Sequence, residues 1–109
     1  IFKPMYAQYD WAGMIISFRT DAGQDIYDGE ESKSARHIPH TIWGGAQRKL
    51  DLLNSAHSLQ DLKAPPANRL EALKGNLKGK YSIRINDQCR LVFKFHDGNA
   101  YDVVIVDYH

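Results

Sequence analysis

Cysteine is all but missing from this chain: of 109 residues, only Cys89 carries a thiol. No intrachain disulfide can form, and no metal site can be built from paired cysteines. That usage fits a reducing cytosol. Long apolar runs are missing too. Nothing approaches the roughly 20 residues a membrane helix needs, so no membrane role is expected. A charge imbalance is also missing, since 14 Lys and Arg against 13 Asp and Glu leave a formal net charge of +1. There are no repeats and no low-complexity tract. What remains is 43% hydrophobic and 25% charged residues, the composition of one folded domain.

The near-neutral total hides a segregation. Asp21, Asp25, Asp28, Glu30 and Glu31 lie in a stretch without a single basic residue. Between Arg69 and Lys94 stand Arg69, Lys74, Lys78, Lys80, Arg84, Arg90 and Lys94 against only Glu71 and Asp87. Two readings stand for the basic stretch: a site for a polyanion, or a solvated sheet face. For the acidic stretch they are a partner contact or phosphate mimic, and plain solvation.

Residues 1–13 follow no clear period and read as an upstream extension or cloning remnant; the domain is expected over 14–109. Met14 to Phe18 reads as a first strand, with Ile15 and Ile16 feeding a core. Thr20 or Asp21 caps a short helix running to about Asp28. Ile38, Ile42, Ala46, Leu50 and Leu53 recur at helical spacing, and Pro39 marks that helix's start. Ser58 to Leu62 gives a short helical turn. Ala64 to Asn68 reads as a stiff extended linker, and Gly75 to Gly79 as a mobile loop. Then the period changes to two. Tyr81 to Ile85, Cys89 to Phe95 and Ala100 to Asp107 form a three-stranded meander, its second hairpin turning at His96-Asp97-Gly98-Asn99. The fold class is α+β: one twisted, mainly antiparallel sheet with N-terminal helices packed on one face.

The alternation has a chemical consequence. If Cys89, Leu91, Phe93 and Phe95 face the helices, then Arg90 and Lys94 face away. Likewise Tyr81, Ile83 and Ile85 point inward, and Ser82 and Arg84 outward. For the last strand both sets of alternating residues are apolar enough that pattern does not choose the inner one. The chain closes on Asp107-Tyr108-His109, three proton-handling side chains at a strand end, and the hairpin is expected to bring His109 within reach of Arg90. An Arg, a Tyr and a His beside a cationic groove suit phosphoryl transfer in RNA without a metal. The attacking 2′-hydroxyl loses a proton, the leaving oxygen gains one, and the phosphorane-like oxygens need positive charge. The competing reading is a frayed end and a surface arginine. Other candidates carry less. His37 and His40 are spaced as metal ligands are, but with no carboxylate or thiol partner, and no cofactor is called for. Cys89 alternates with core residues and reads as packing. Trp43 reads as core or partner surface, and His57 and His96 as exposed element ends.

The blocks Pro65-Pro66-Ala67-Asn68-Arg69-Leu70-Glu71-Ala72-Leu73-Lys74-Gly75-Asn76, Gly79 through Phe93, and Val106-Asp107-Tyr108-His109 together resemble the HigB-type toxins of the RelE/ParE superfamily of bacterial toxin–antitoxin systems. The resemblance runs from Met14 to the C-terminus. It implies a compact RelE-like fold and a cytoplasmic bacterial, ribosome-dependent mRNA endonuclease that cuts the message in the 30S A site without a metal. It also implies neutralisation by a HigA-type antitoxin with a helix-turn-helix domain, operator DNA being reached only through that antitoxin. Catalytic roles then fall to His109, Tyr108, Asp107, Arg90 and Glu71. His109 would act as general acid or base, Tyr108 would stack on or orient a base, and Arg90 would steady the phosphate. Arg69, Lys74, Lys78, Lys80, Arg84 and Lys94 would guide the RNA backbone. Two departures matter. Glu71 stands where many members carry His, as it does in the slower members, which implies modest activity. Cys89 stands where most carry Trp, which leaves base stacking near Arg90 open. Two rival functions remain: inhibition of DNA gyrase, as in ParE-like relatives, and a non-catalytic RNA- or protein-binding module.

Overall fold

The computed structural model describes residues 14–107, so what the sequence assigns to residues 1–13, Tyr108 and His109 lies outside the described residues. Chain order is β1 (Met14–Ile15), α1 (Asp21–Tyr27), α2 (Trp43–Ser55), α3 (Leu59–Lys63), β2 (Glu71–Ala72), β3 (Lys80–Arg84), β4 (Cys89–His96) and β5 (Asn99–Asp107). The strands form one sheet in the order β1-β5-β4-β3-β2. β1 runs parallel to β5, and every other neighbouring pair is antiparallel. This is the α+β architecture that the change of period predicts.

One face of the sheet carries the core. Leu50 and Leu53 of α2, Ala56 beyond it and Leu62 of α3 pack with Ile15, Ile83, Leu91, Phe93, Ala100 and Val103. Phe93 is fully buried at the centre; burying such a side chain contributes about 1.5–3 kcal/mol. A second cluster of Ile26, Ala35, Trp43 and Ala46 joins α1 to the start of α2. The helical spacing of Ala46, Leu50 and Leu53 is what allows α2 to reach both. α1 begins after Thr20 as expected. Pro39 starts not α2 itself but a 3-10 turn, His40–Ile42, that leads into it. The Trp43 indole N–H donates to the Ile38 carbonyl at 2.9 Å and fixes that entry.

Several local expectations are corrected. Among the described residues the first strand comprises Met14–Ile15 and stops short of Phe18; Ile15 is buried while Ile16 is exposed, as alternation along an edge demands. Residues 64–68 are not an extended linker. Pro66–Asn68 forms a 3-10 turn, closed by the Asn68 N–H donating to the Pro65 carbonyl at 3.0 Å. The loop expected around Asn76 contains the 3-10 turn Gly75–Leu77. β2, two residues long, is too short for a period to reveal.

The open choice on the last strand also has a physical answer. Along β4 the register with β5 runs Arg90↔Val106, Leu91↔Ile105 and Val92↔Val104, then jumps to Lys94↔Tyr101. One extra residue sits in β5, and Asp102 there takes φ +53. Such a bulge shifts the phase of alternation. Ala100 and Val103 are therefore both buried although they are an odd number of residues apart. No strict period-two reading could have found both.

Candidate functional site

The open face of the sheet is built around Arg90. Its Nε donates to the Ser82 hydroxyl at 2.8 Å. Its Nη2 donates to the Arg69 carbonyl and, at 3.5 Å, to the Ser82 carbonyl. The Glu71 carboxylate lies 3.9 Å from the same Nη2. Only 12% of the Arg90 side chain is exposed, against 59% for Glu71. The guanidinium thus lies down on the sheet, over a Ser82 that is completely buried.

The backbone at Arg69 makes this possible. Arg69 adopts φ +44, ψ +56, a left-handed conformation uncommon for a residue with a side chain. It turns the Arg69 carbonyl toward β4. The neighbouring Asn68 holds the turn in place. It is fully buried; its amide donates to the Leu62 carbonyl at 2.9 Å and accepts from Lys49 Nζ at 2.5 Å. A path of packed polar groups therefore runs from α2 through Asn68 and Arg69 to the Arg90 guanidinium.

Arg84 is the cross-strand partner of Arg90. Like charges directly opposed on a sheet are destabilising, by about 0.2–1 kcal/mol, and here Asp87 ion-pairs with Arg84 from the turn. Arg69, Arg84, Asn86, Asp87, Gln88 and Arg90 line a cleft of about 350 Å³. Three guanidinium groups meet one carboxylate in that lining. Lys49 adds to the positive field from behind: burial lowers its pKa, and the nearby Arg84 and Arg48 charges lower it further. A concave surface with this balance attracts and orients an anion.

Of the residues singled out from sequence, Arg69, Arg84 and Arg90 come together in this cleft and Glu71 lies at Arg90's side. Lys74 and Lys78 are exposed on the segment before β3. Lys80 and Lys94 are cross-strand partners at the far end of β3 and β4, where Lys94 pairs with Asp102 at 3.5 Å; four residues of strand, about 13 Å, separate them from Arg84. Asp107 is opposite Cys89 in register, so it shares the face of Cys89 rather than that of Arg90. There, burial and then the Asp107 carboxylate push the Cys89 thiol pKa up, which suits packing and not nucleophilic chemistry. Tyr108 and His109 lie outside the described residues. The sequence reading missed Ser82, Asn68 and Lys49. The only signal for Ser82 was a small hydroxyl amid β-branched and aromatic strand residues; Asn68 and Lys49 gave none, because their partners are distant in sequence.

No group of three or more His, Cys, Asp or Glu among the described residues is placed to hold a metal ion, and none of the described helices is long and apolar enough to cross a membrane.

Comparison with known proteins places this geometry. The chain is 44% identical over 87 residues to the toxin HigB-1 of Vibrio cholerae serotype O1, covering 80% of this chain and 90% of that one. It is 35% identical over 92 residues to an uncharacterised Haemophilus influenzae protein, covering 84% and 88%. Its fold matches the crystal structure of the heterotetrameric YoeB-YefM toxin-antitoxin complex from Staphylococcus aureus, with a TM-score of 0.53 and 26% identity over 87% of this chain and 94% of that one. Residues 16–109 match the family described as the RelE-like toxin of type II toxin-antitoxin system HigB, and with an arginine-lined cleft on the open face of a RelE-type sheet, this chain belongs to the HigB-like toxins of type II toxin–antitoxin systems.

Proposed function

We propose that the chain is a ribosome-dependent mRNA endonuclease, cutting the message in the 30S A site by attack of a ribose 2′-hydroxyl on its own 3′-phosphate. The observation that carries this reading is Arg90: a guanidinium tied to the sheet beside two more arginines, with a carboxylate 3.9 Å away. Arg90 and Arg84 supply the positive charge that a pentacoordinate phosphate requires. Glu71 takes the proton from the 2′-hydroxyl, and the bond from 2′-oxygen to phosphorus forms. His109, as the imidazolium, gives a proton to the departing 5′-oxygen as that bond to phosphorus breaks. Tyr108 orients the neighbouring base and Asp107 supports the strand end. Lys74, Lys78, Lys80, Lys94 and Arg69 guide the RNA backbone. A carboxylate base is weaker than an imidazole that shuttles protons near neutrality, so turnover is modest. The partner that silences the toxin is a HigA-type antitoxin with a helix-turn-helix domain, through which the pair reaches operator DNA in the bacterial cytoplasm.

The test is expression of residues 14–109 under a controllable antitoxin, followed by mapping of message ends. Cuts within translated codons, leaving 2′,3′-cyclic phosphate ends and lost in Arg90→Ala and His109→Ala, support the reading. Intact messages with inhibited gyrase supercoiling would overturn it in favour of a ParE-like activity.

A further inference from the structure

We propose that Ser82 is the positioning residue for the Arg90 guanidinium, acting with the Arg69 carbonyl as a two-point clamp on one edge that aims the Nη1 amino group into the cleft. The proposal rests on the reading of Arg90 as the phosphate-holding group. Arginine has five N–H donors in one rigid plane. The Ser82 hydroxyl engages Nε, and the Arg69 and Ser82 carbonyls engage Nη2. Among the described residues Nη1 takes no hydrogen-bond partner. Two points of attachment on one edge fix both the position and the tilt of a planar group, and the opposite edge is left for an anion.

Ser82 is otherwise hard to account for. It occupies the middle of β3, opposite Val92, and is fully buried, where β-branched apolar residues pack best. A buried hydroxyl is costly unless it is bonded, and the bond it makes is to Arg90. The left-handed turn at Arg69 is a second departure from local preference that serves the same guanidinium. Strain of this kind persists where the surrounding structure enforces it, and such residues cluster at functional sites. Two locally unfavourable choices, distant in sequence, converge on one side chain.

The experiment compares wild type, Ser82→Ala, Ser82→Thr, Arg90→Ala and the Ser82→Ala/Arg90→Ala double variant. It measures message cleavage on translating ribosomes, thermal unfolding, and the Arg90 Nε–H signal in ¹⁵N–¹H spectra. Ser82→Ala is expected to lower kcat about 100-fold, the usual consequence of misplacing a catalytic group by an ångström, with little change in KM. Ser82→Thr keeps the hydroxyl and retains most activity. In the Arg90→Ala background, Ser82→Ala costs no more than about a further twofold, because both act as one unit. The Nε–H signal exchanges slowly with solvent in wild type and quickly in Ser82→Ala. Equally fast exchange in both overturns the clamp whatever cleavage does. Slow exchange with full cleavage by Ser82→Ala, alongside an inactive Arg90→Ala, overturns the positioning role and leaves the nuclease reading standing. Full cleavage by Arg90→Ala overturns the reading of Arg90 as the phosphate-holding group, and with it the clamp; no cleavage by wild type overturns the nuclease reading.

Discussion

The two faces of the sheet are held by different physics. On the helix-covered face, Ile83, Leu91 and Phe93 meet α2 and α3 through apolar packing, which is non-directional and tolerates conservative exchange. On the open face, Arg90 is tied to the Ser82 hydroxyl and the Arg69 carbonyl by hydrogen bonds of defined direction, and Asn68, whose own bonds go to Leu62 and Lys49, holds the turn that carries Arg69. Among the described residues no buried side-chain polar atom lacks a partner, so the buried part of this network is fully bonded, and such a network specifies geometry more sharply than packing does. Two kinds of interaction thus divide the sheet: apolar packing on one face, and on the other a directed polar network that holds the Arg90 guanidinium.

The largest expected effect comes from the packed face. Phe93→Ala should cost about 3–5 kcal/mol, the range for removing a large buried aromatic, measured by urea unfolding. Activity should fall only as the folded fraction falls. A loss under 1 kcal/mol would mean that the core does not close over Phe93.

Asn68→Ala strikes where the two faces are joined. It strands the Leu62 carbonyl and the Lys49 ammonium and should cost about 1–3 kcal/mol. Because Arg69 follows directly, cleavage should fall further than stability explains. Proportional losses would show that the turn does not transmit to Arg90.

A pH titration sharpens the comparison from the helical side. Burial, and then the Asp51 carboxylate that its hydroxyl bonds, push Tyr27 up to about 12 from an unfolded value near 10. The folded state therefore holds the phenolic proton more tightly. Its contribution is fully present below pH 10 and is lost as pH rises through 12. Alkaline denaturation of wild type should steepen across that window and that of Tyr27→Phe should not; matching curves would contradict the assignment.

The smallest effect belongs to the exposed cations. Lys74→Ala should leave stability unchanged. It should reduce the slope of log affinity for message-loaded ribosomes against log salt by about 0.7, one phosphate contact on a single strand. An unchanged slope would remove Lys74 from the RNA path.

How much of this was legible from sequence follows the same division. The packed face announced itself: helical spacing from Ile38 to Leu53 found α2, and Asp97-Gly98, with φ of +51 and +78, marked the β4–β5 hairpin as such turns require. The basic stretch contains Arg69, Arg84 and Arg90, which the fold brings together in one cleft. Illegible features were those set by tertiary register. The bulge at Asp102 hid the inner face of β5. His109 was expected within reach of Arg90 and lies outside the described residues; Asp107, two residues before it, stands opposite Cys89, and one step along a strand reverses the side. Ser82 and Asn68 matter only for what they touch, and hydrogen-bond partners across 8 and 19 residues leave no periodic trace.

If the open face performs the chemistry without carrying the fold, the rate of message cleavage by Arg90→Ala, measured beside its unfolding free energy, will show it. The expected result is a fold weakened by no more than about 2 kcal/mol and cleavage at least about 100-fold slower, as when a donor to a developing oxyanion is removed. Cleavage at the wild-type rate, or a loss explained wholly by unfolding, would contradict it.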